Sequence, residues 1–121
     1  MTDHFQRLGR AYSGEITDAI EQIAESSNNP NTLETILEYQ LNTGGKRFRA
    51  LLPLALLESF DKDPSAGIPF GACCELIHNA TLVHDDIQDR DTHRRGAETV
   101  WRKFGEARAI SLGDAGFFWA M

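Results

Sequence analysis

Four carboxylates fall within seven residues: Asp85, Asp86, Asp89 and Asp91. On a helix, Asp85 and Asp89 lie one turn apart on the same face, with Asp86 three residues before Asp89, so their oxygens can converge on a hard cation. The spacing suits a Mg²⁺ site that also takes phosphate oxygens. The competing reading is a solvated acidic helix end. That end is electrostatically poor, because the helix dipole is already negative there and like charges three or four residues apart repel. A partner should compensate.

Three further features bear on the choice. Gly44-Gly45-Lys46-Arg47-Phe48-Arg49 is a flexible turn leading into a helix start with three cations. Such starts, with Lys or Arg forks, are natural anion sites. Lys46 and Arg49 are three apart and can share a face. The alternative, a plain basic cap, runs against the helix dipole. His78 precedes Asp85 by two turns on the same face, although a single helical His is more often a packed or exposed bystander. Arg94-Arg95-Gly96 follows the aspartates in a loop. Two guanidinium groups beside a metal cluster are what bridging phosphates require. Together these residues describe two polyphosphate sites facing one cavity.

The elements that must position them read as helices. Phe5, Leu8, Tyr12, Ile16, Ala19, Ile20 and Ile23 form the stripe of an amphipathic helix over 4–25. Asn28-Asn29-Pro30 marks a turn. Leu33, Ile36, Leu37 and Leu41 repeat the helical spacing, closed by Gly44-Gly45. Lys46 to Ser59 is densely apolar and is expected to be a largely buried third helix, limited by Pro53. Asp61 to Gly67 reads as a loop, and Pro69 suits the first turn of a fourth helix reaching about Asp89. Its expected stripe is Phe70, Cys73, Ile77, Ala80, Val83 and Ile87. Thr92 to Thr99 reads as a connection, Val100 to Phe104 as a short helical turn, and Glu106 to Met121 as a last, increasingly apolar segment. No strand-like alternation and no internal repeat is visible. The expected class is all-α.

The 121 residues suit one domain, and 41% hydrophobic with 25% charged residues suits a folded one. The net charge is −6, and residues 11–45 carry six acids and no Lys or Arg. A nucleic-acid partner held by bulk positive charge is therefore not expected. The longest strictly apolar run, Ala50 to Leu57, is far short of a membrane span. With no secretory signal at Met1-Thr2-Asp3-His4, the expected location is cytoplasmic. Adjacent Cys73 and Cys74 suit neither a disulfide nor a zinc site and read as small core residues. Gly116 to Met121 is an apolar run without helix-stop chemistry, which points to cover by further chain or by another subunit.

From about Leu41 to Met121 the sequence resembles the trans-isoprenyl diphosphate synthase (polyprenyl synthetase) family. The residues that carry the likeness are Gly44-Gly45-Lys46-Arg47-Phe48-Arg49, then Glu75, His78, Thr81, His84, Asp85, Asp86 and Asp89. Arg94-Arg95-Gly96, Thr99, Phe104-Gly105, Ala109-Ile110 and Gly113-Asp114 continue it. The resemblance implies an isoprenoid synthase-like helical bundle around a central cavity, of which 1–121 is the N-terminal part of a single domain. It implies condensation of isopentenyl diphosphate with an allylic diphosphate: the allylic diphosphate leaves, the alkene attacks the resulting cation, and a proton is lost. By motif, Asp85 and Asp89 ligate Mg²⁺, Asp86 supports them, and all three count as catalytic. Arg94 contacts the allylic diphosphate, while Lys46, Arg49, His78 and Arg95 hold that of isopentenyl diphosphate. Ala80 and Thr81 line the start of a product tunnel, and a homodimer is the usual assembly.

Ala50 stands where many members have Pro. The family's second aspartate-rich region has no counterpart here, so the resemblance implies weak substrate binding and little or no condensation by these 121 residues alone. Two neighbouring readings are a non-catalytic interaction or regulatory subunit of such a synthase, associating through Gly116 to Met121, and a class I terpene cyclase-like protein, which needs no second diphosphate cradle. Glu75 and His78 also form the Glu-x-x-His of a di-iron bundle, but the second pair that architecture needs is missing.

Overall fold

The computed structural model describes residues 2–24, 33–45 and 47–121. Six α-helices occupy the described residues: α1 (Thr2–Ala24), α2 (Leu33–Asn42), α3 (Phe48–Ser59), α4 (Ile68–Asp89), α5 (Val100–Phe104) and α6 (Glu106–Ala120). The expected turn at Asn28-Asn29-Pro30 and the Lys46 side chain lie outside the described residues.

α4 is the central element, packing against α1, α3 and α6. Leu8, Ile16 and Ile20 of α1, Leu51 and Leu54 of α3, Leu76 and Val83 of α4, and Leu112 of α6 are buried together. Two close approaches need glycine. At Gly71 a Cβ would lie 2.4 Å from the Ala50 carbonyl oxygen, so α3 and α4 meet backbone to backbone. At Gly113 it would lie 2.0 Å from His84 Nε2, which α6 admits into a notch beside the Ile110 carbonyl.

Three expectations are corrected. α3 buries Ala50, Leu51 and Leu54 but leaves Leu52 and Leu56 exposed, because nothing among the described elements covers its outer face. In the first half of α4 the stripe is displaced: Phe70 is 66% exposed and Ile77 also faces out, while Gly71, Ala72, Glu75, Leu76 and Asn79 are buried. Polar Glu75 and Asn79 can occupy the inner face because they bond to each other. Cys73 and Cys74 are accordingly half-buried, unpaired thiols.

The loop expected over Thr92 to Thr99 holds a two-residue hairpin, β1 (His93–Arg94) and β2 (Ala97–Glu98), antiparallel, with Arg94 opposite Ala97. Arg95 and Gly96 both have positive φ, 50° and 79°, as a two-residue turn of this twist demands. Strands this short carry no alternation to read. The end of α6 leaves Phe118 and Met121 exposed. No described helix is long and apolar enough to cross a membrane.

Candidate anion cleft and acidic helix end

The loop from α2 into α3 is shaped by left-handed residues: Gly44 at φ 100°, Gly45 at 129° and Arg47 at 51°. Its entry is tied by Thr43, whose hydroxyl donates to the Gln40 carbonyl at 2.7 Å. Its middle is held by a residue 51 positions away in the sequence. Arg95, presented by the hairpin turn, donates from Nη1 to the Gly44 carbonyl at 2.7 Å and lies across Gly45, where a Cβ would come within 3.2 Å of that nitrogen. Glycine there lets the guanidinium lie flat on the loop.

Arg49, in the first turn of α3, sits 3.3 Å from His78 Nε2 on α4. A guanidinium only donates, so His78 accepts at Nε2 and carries its proton on Nδ1. Burial pushes the His78 pKa below the ordinary imidazole value, and Arg49, Arg95 and Arg94 push the same way, against Glu75. His78 is therefore neutral at pH 7. Arg47, on the same loop, faces Glu75 at 3.6 Å. These side chains, with Phe48 and Leu82, line a cleft of about 310 Å³. Three guanidinium groups against one carboxylate and a neutral imidazole give the cleft a net positive charge.

The aspartates divide sharply. Asp86 is 2% exposed and is gripped by Arg94, which donates from Nε at 3.2 Å and from Nη2 at 2.7 Å. That hydrogen bonding raises the Arg94 pKa, against partial burial. The helix stops with Arg90 in the left-handed region at φ 55°, while the Asp91 N–H returns to the Asp86 carbonyl. Thr99 and Trp101 both donate to the Asp91 carbonyl at 2.7 Å, fixing the exit toward the hairpin. Asp85 and Asp89 stand exposed one turn apart.

Among the described residues no three His, Cys, Asp or Glu side chains are arranged as a metal cage. With Asp86 committed to Arg94, the exposed carboxylates one turn apart on α4, Asp85 and Asp89, remain available, and Asp91 is exposed just beyond the helix. Two carboxylates fit Mg²⁺, which keeps several waters and takes phosphate oxygens.

Residues 30–121 match the family model described as Polyprenyl synthetase. The chain belongs to this family. Among the chain's relatives, the farnesyl diphosphate synthase of Geobacillus stearothermophilus is 40% identical over 101 residues, covering 82% of the chain and 34% of the relative. The geranylgeranyl diphosphate synthase of Methanosarcina mazei is 37% identical over 102 residues, covering 84% and 31%. The fold is that of the solved geranylgeranyl pyrophosphate synthetase from Pyrococcus horikoshii, with a TM-score of 0.86 at 35% identity over 98% of this chain and 36% of that one. The chain thus spans about a third of the length of the curated relatives it matches.

Of the residues singled out from sequence, Arg49, His78 and Arg95 meet in the cleft, and Asp85, Asp86, Asp89 and Arg94 gather at the end of α4. Ala80, expected beside a tunnel, is buried against Gly116 of α6, because that glycine lets the helices close on it. Thr81 is half-buried, its hydroxyl donating to the His78 carbonyl. Sequence reasoning counted Arg47 among the three cations of the helix start without assigning it a role, and passed over Glu75 and Asn79 as cleft residues. The available signal was a Glu and an Asn one turn apart on an otherwise apolar face.

Proposed function

We propose that the chain carries the substrate-binding region of a cytoplasmic prenyltransferase that joins isopentenyl diphosphate to an allylic diphosphate, as the N-terminal part of one all-α domain. The observation that carries this reading is the cleft in which Arg49, His78 and Arg95 converge from three separate elements. Family membership supports it.

Lys46, Arg49, His78 and Arg95 hold the diphosphate of isopentenyl diphosphate. Arg95 keeps unbonded N–H groups for it after serving Gly44. Arg94 has three N–H groups beyond those bonded to Asp86 and turns them toward the allylic diphosphate. Asp86 acts by fixing Arg94, and Asp85 with Asp89 holds Mg²⁺. Bound Mg²⁺ supplies positive charge to the departing diphosphate. The cations fixed by the fold stabilise the same developing charge without reorganising, which is where such groups contribute most. The exposed Phe117 and Phe118 of α6 are the proposed contact for association with a second copy.

The test is equilibrium binding of labelled isopentenyl diphosphate to the 121-residue chain, followed by a condensation assay with an allylic diphosphate and Mg²⁺. Arg95→Ala should weaken binding by about tenfold or more, the scale of one charge-assisted contact, and Asp85→Ala should remove any condensation product. A chain indifferent to both substitutions is an interaction module, and the reading falls.

A further inference from the structure

A buried polar chain runs behind the cleft from α2 to the start of α3. Gln40 Nε2 donates to Asn79 Oδ1 at 3.3 Å. Asn79 Nδ2 donates to Glu75 Oε1 at 3.2 Å and to the Glu75 carbonyl at 2.9 Å. Glu75 Oε1 then faces Arg47 Nη1 at 3.6 Å. That last distance is an ion pair without a hydrogen bond.

Both members of the pair are under-satisfied. Glu75 is 6% exposed and its Oε2 has no hydrogen-bond partner among the described residues. The Arg47 side chain is 16% exposed, and its backbone is left-handed, a conformation that strains a non-glycine residue. A pair kept only for stability would close to bonding distance, since a buried guanidinium and carboxylate that do not bond lose most of what offsets their desolvation. Nor does Glu75 serve the cleft as charge alone, because a carboxylate weakens its attraction for an anion.

We infer that Arg47 is a further anion-binding residue of the cleft and that Glu75 is its positioning residue. The carboxylate, held in place by Asn79 and Gln40, keeps the guanidinium turned into the cleft without occupying its N–H groups. Those groups stay available to a phosphoryl oxygen, which supplies the short hydrogen bonds that Glu75 withholds. This rests on the reading of the cleft as a diphosphate site and adds a residue to it.

Titration calorimetry with inorganic pyrophosphate, at pH 7.5 without Mg²⁺, tests the inference on the 121-residue chain. Arg47→Gln should weaken binding by about tenfold, with Arg47→Lys in between, because Lys keeps the charge but loses the fork. Glu75→Ala should also weaken it, although Coulomb attraction alone would strengthen binding once a negative charge is removed. Glu75→Gln keeps the acceptor that Asn79 and Arg47 share, and should restore affinity to at least the wild-type level. Circular dichroism and thermal midpoints identify any variant that fails to fold, and Arg47→Lys and Glu75→Gln are the pair that decide in that case. Wild-type affinity in Arg47→Gln, or equal or tighter binding in Glu75→Ala, overturns the inference. If those variants bind like wild type while Arg49→Ala does not, the diphosphate reading survives alone. Failure of the wild-type chain to bind pyrophosphate overturns both.

Discussion

The cationic cleft and the acidic end of α4 are built on opposite plans. In the cleft each cation is held by a distant part of the chain: Arg95 by the Gly44 carbonyl, Arg49 by His78, Arg47 by Glu75. At the acidic end the charged groups come from one short segment, and only Asp86 is fixed. Like charges crowded into one cleft repel, and although Arg49 and Arg95 are exposed, these tethers hold the three guanidinium groups in place against that repulsion. Asp85 and Asp89, also exposed and screened by water and salt, have no such hydrogen-bonded tether among the described residues. The proposed anion site is thus held in place by the fold itself, whereas the proposed Mg²⁺ site has only Asp86 so held.

The largest effect that sharpens this contrast is on anion affinity. Arg49→Ala combined with Arg95→Ala should reduce Mg²⁺-free pyrophosphate binding by about a hundredfold, two charge-assisted contacts at roughly 1.4 kcal/mol each. Asp85→Ala with Asp89→Ala should leave that Mg²⁺-free measurement alone, and equal losses in the two double variants would erase the distinction. Stability should divide the aspartates themselves. Asp86→Ala removes both bonds to Arg94 and should lower urea-unfolding stability by about 2 kcal/mol, less than a fully buried pair because Arg94, 28% exposed, can turn to water. Asp85→Ala should change it by less than about 0.5 kcal/mol. A similar loss from both would mean that Asp85 too is structurally committed.

The smallest effect is in pH. The His78 pKa is lowered in the folded chain, so the unfolded chain binds more protons below the ordinary imidazole value. The stability from neutral His78 is complete well above that value and declines as pH falls through it toward the folded pKa. The thermal midpoint should therefore drop between pH 7.5 and 5.5 by more in wild type than in His78→Gln. The same drop in both would place the titration at another histidine and leave the cleft without a neutral imidazole.

The helices were legible because their apolar spacing is strong, and α1 follows its expected stripe except at Ile23, which is exposed near the helix end. The clusters were legible because each sits where helix electrostatics alone would not place it. The buried face of α4 was misread where Glu75 and Asn79 point inward, since polar residues signal surface until their partners are known. The hairpin at Arg95-Gly96 was too short for periodicity, yet it presents the guanidinium that closes the cleft. Sequence spacing named Arg95 as an anion ligand and could not show that part of it is used on Gly44, a contact between residues 51 apart.

That separation bears on the order in which the molecule assembles. Closing a loop of such length costs about 3.5 kcal/mol in chain entropy, so the contact forms after the local helices rather than with them. A nascent or half-folded chain therefore lacks the cradle. On the proposed reading, a diphosphate present during refolding should have nothing to grip until the hairpin has docked, and should act by slowing the escape from the native state, not by hastening arrival there.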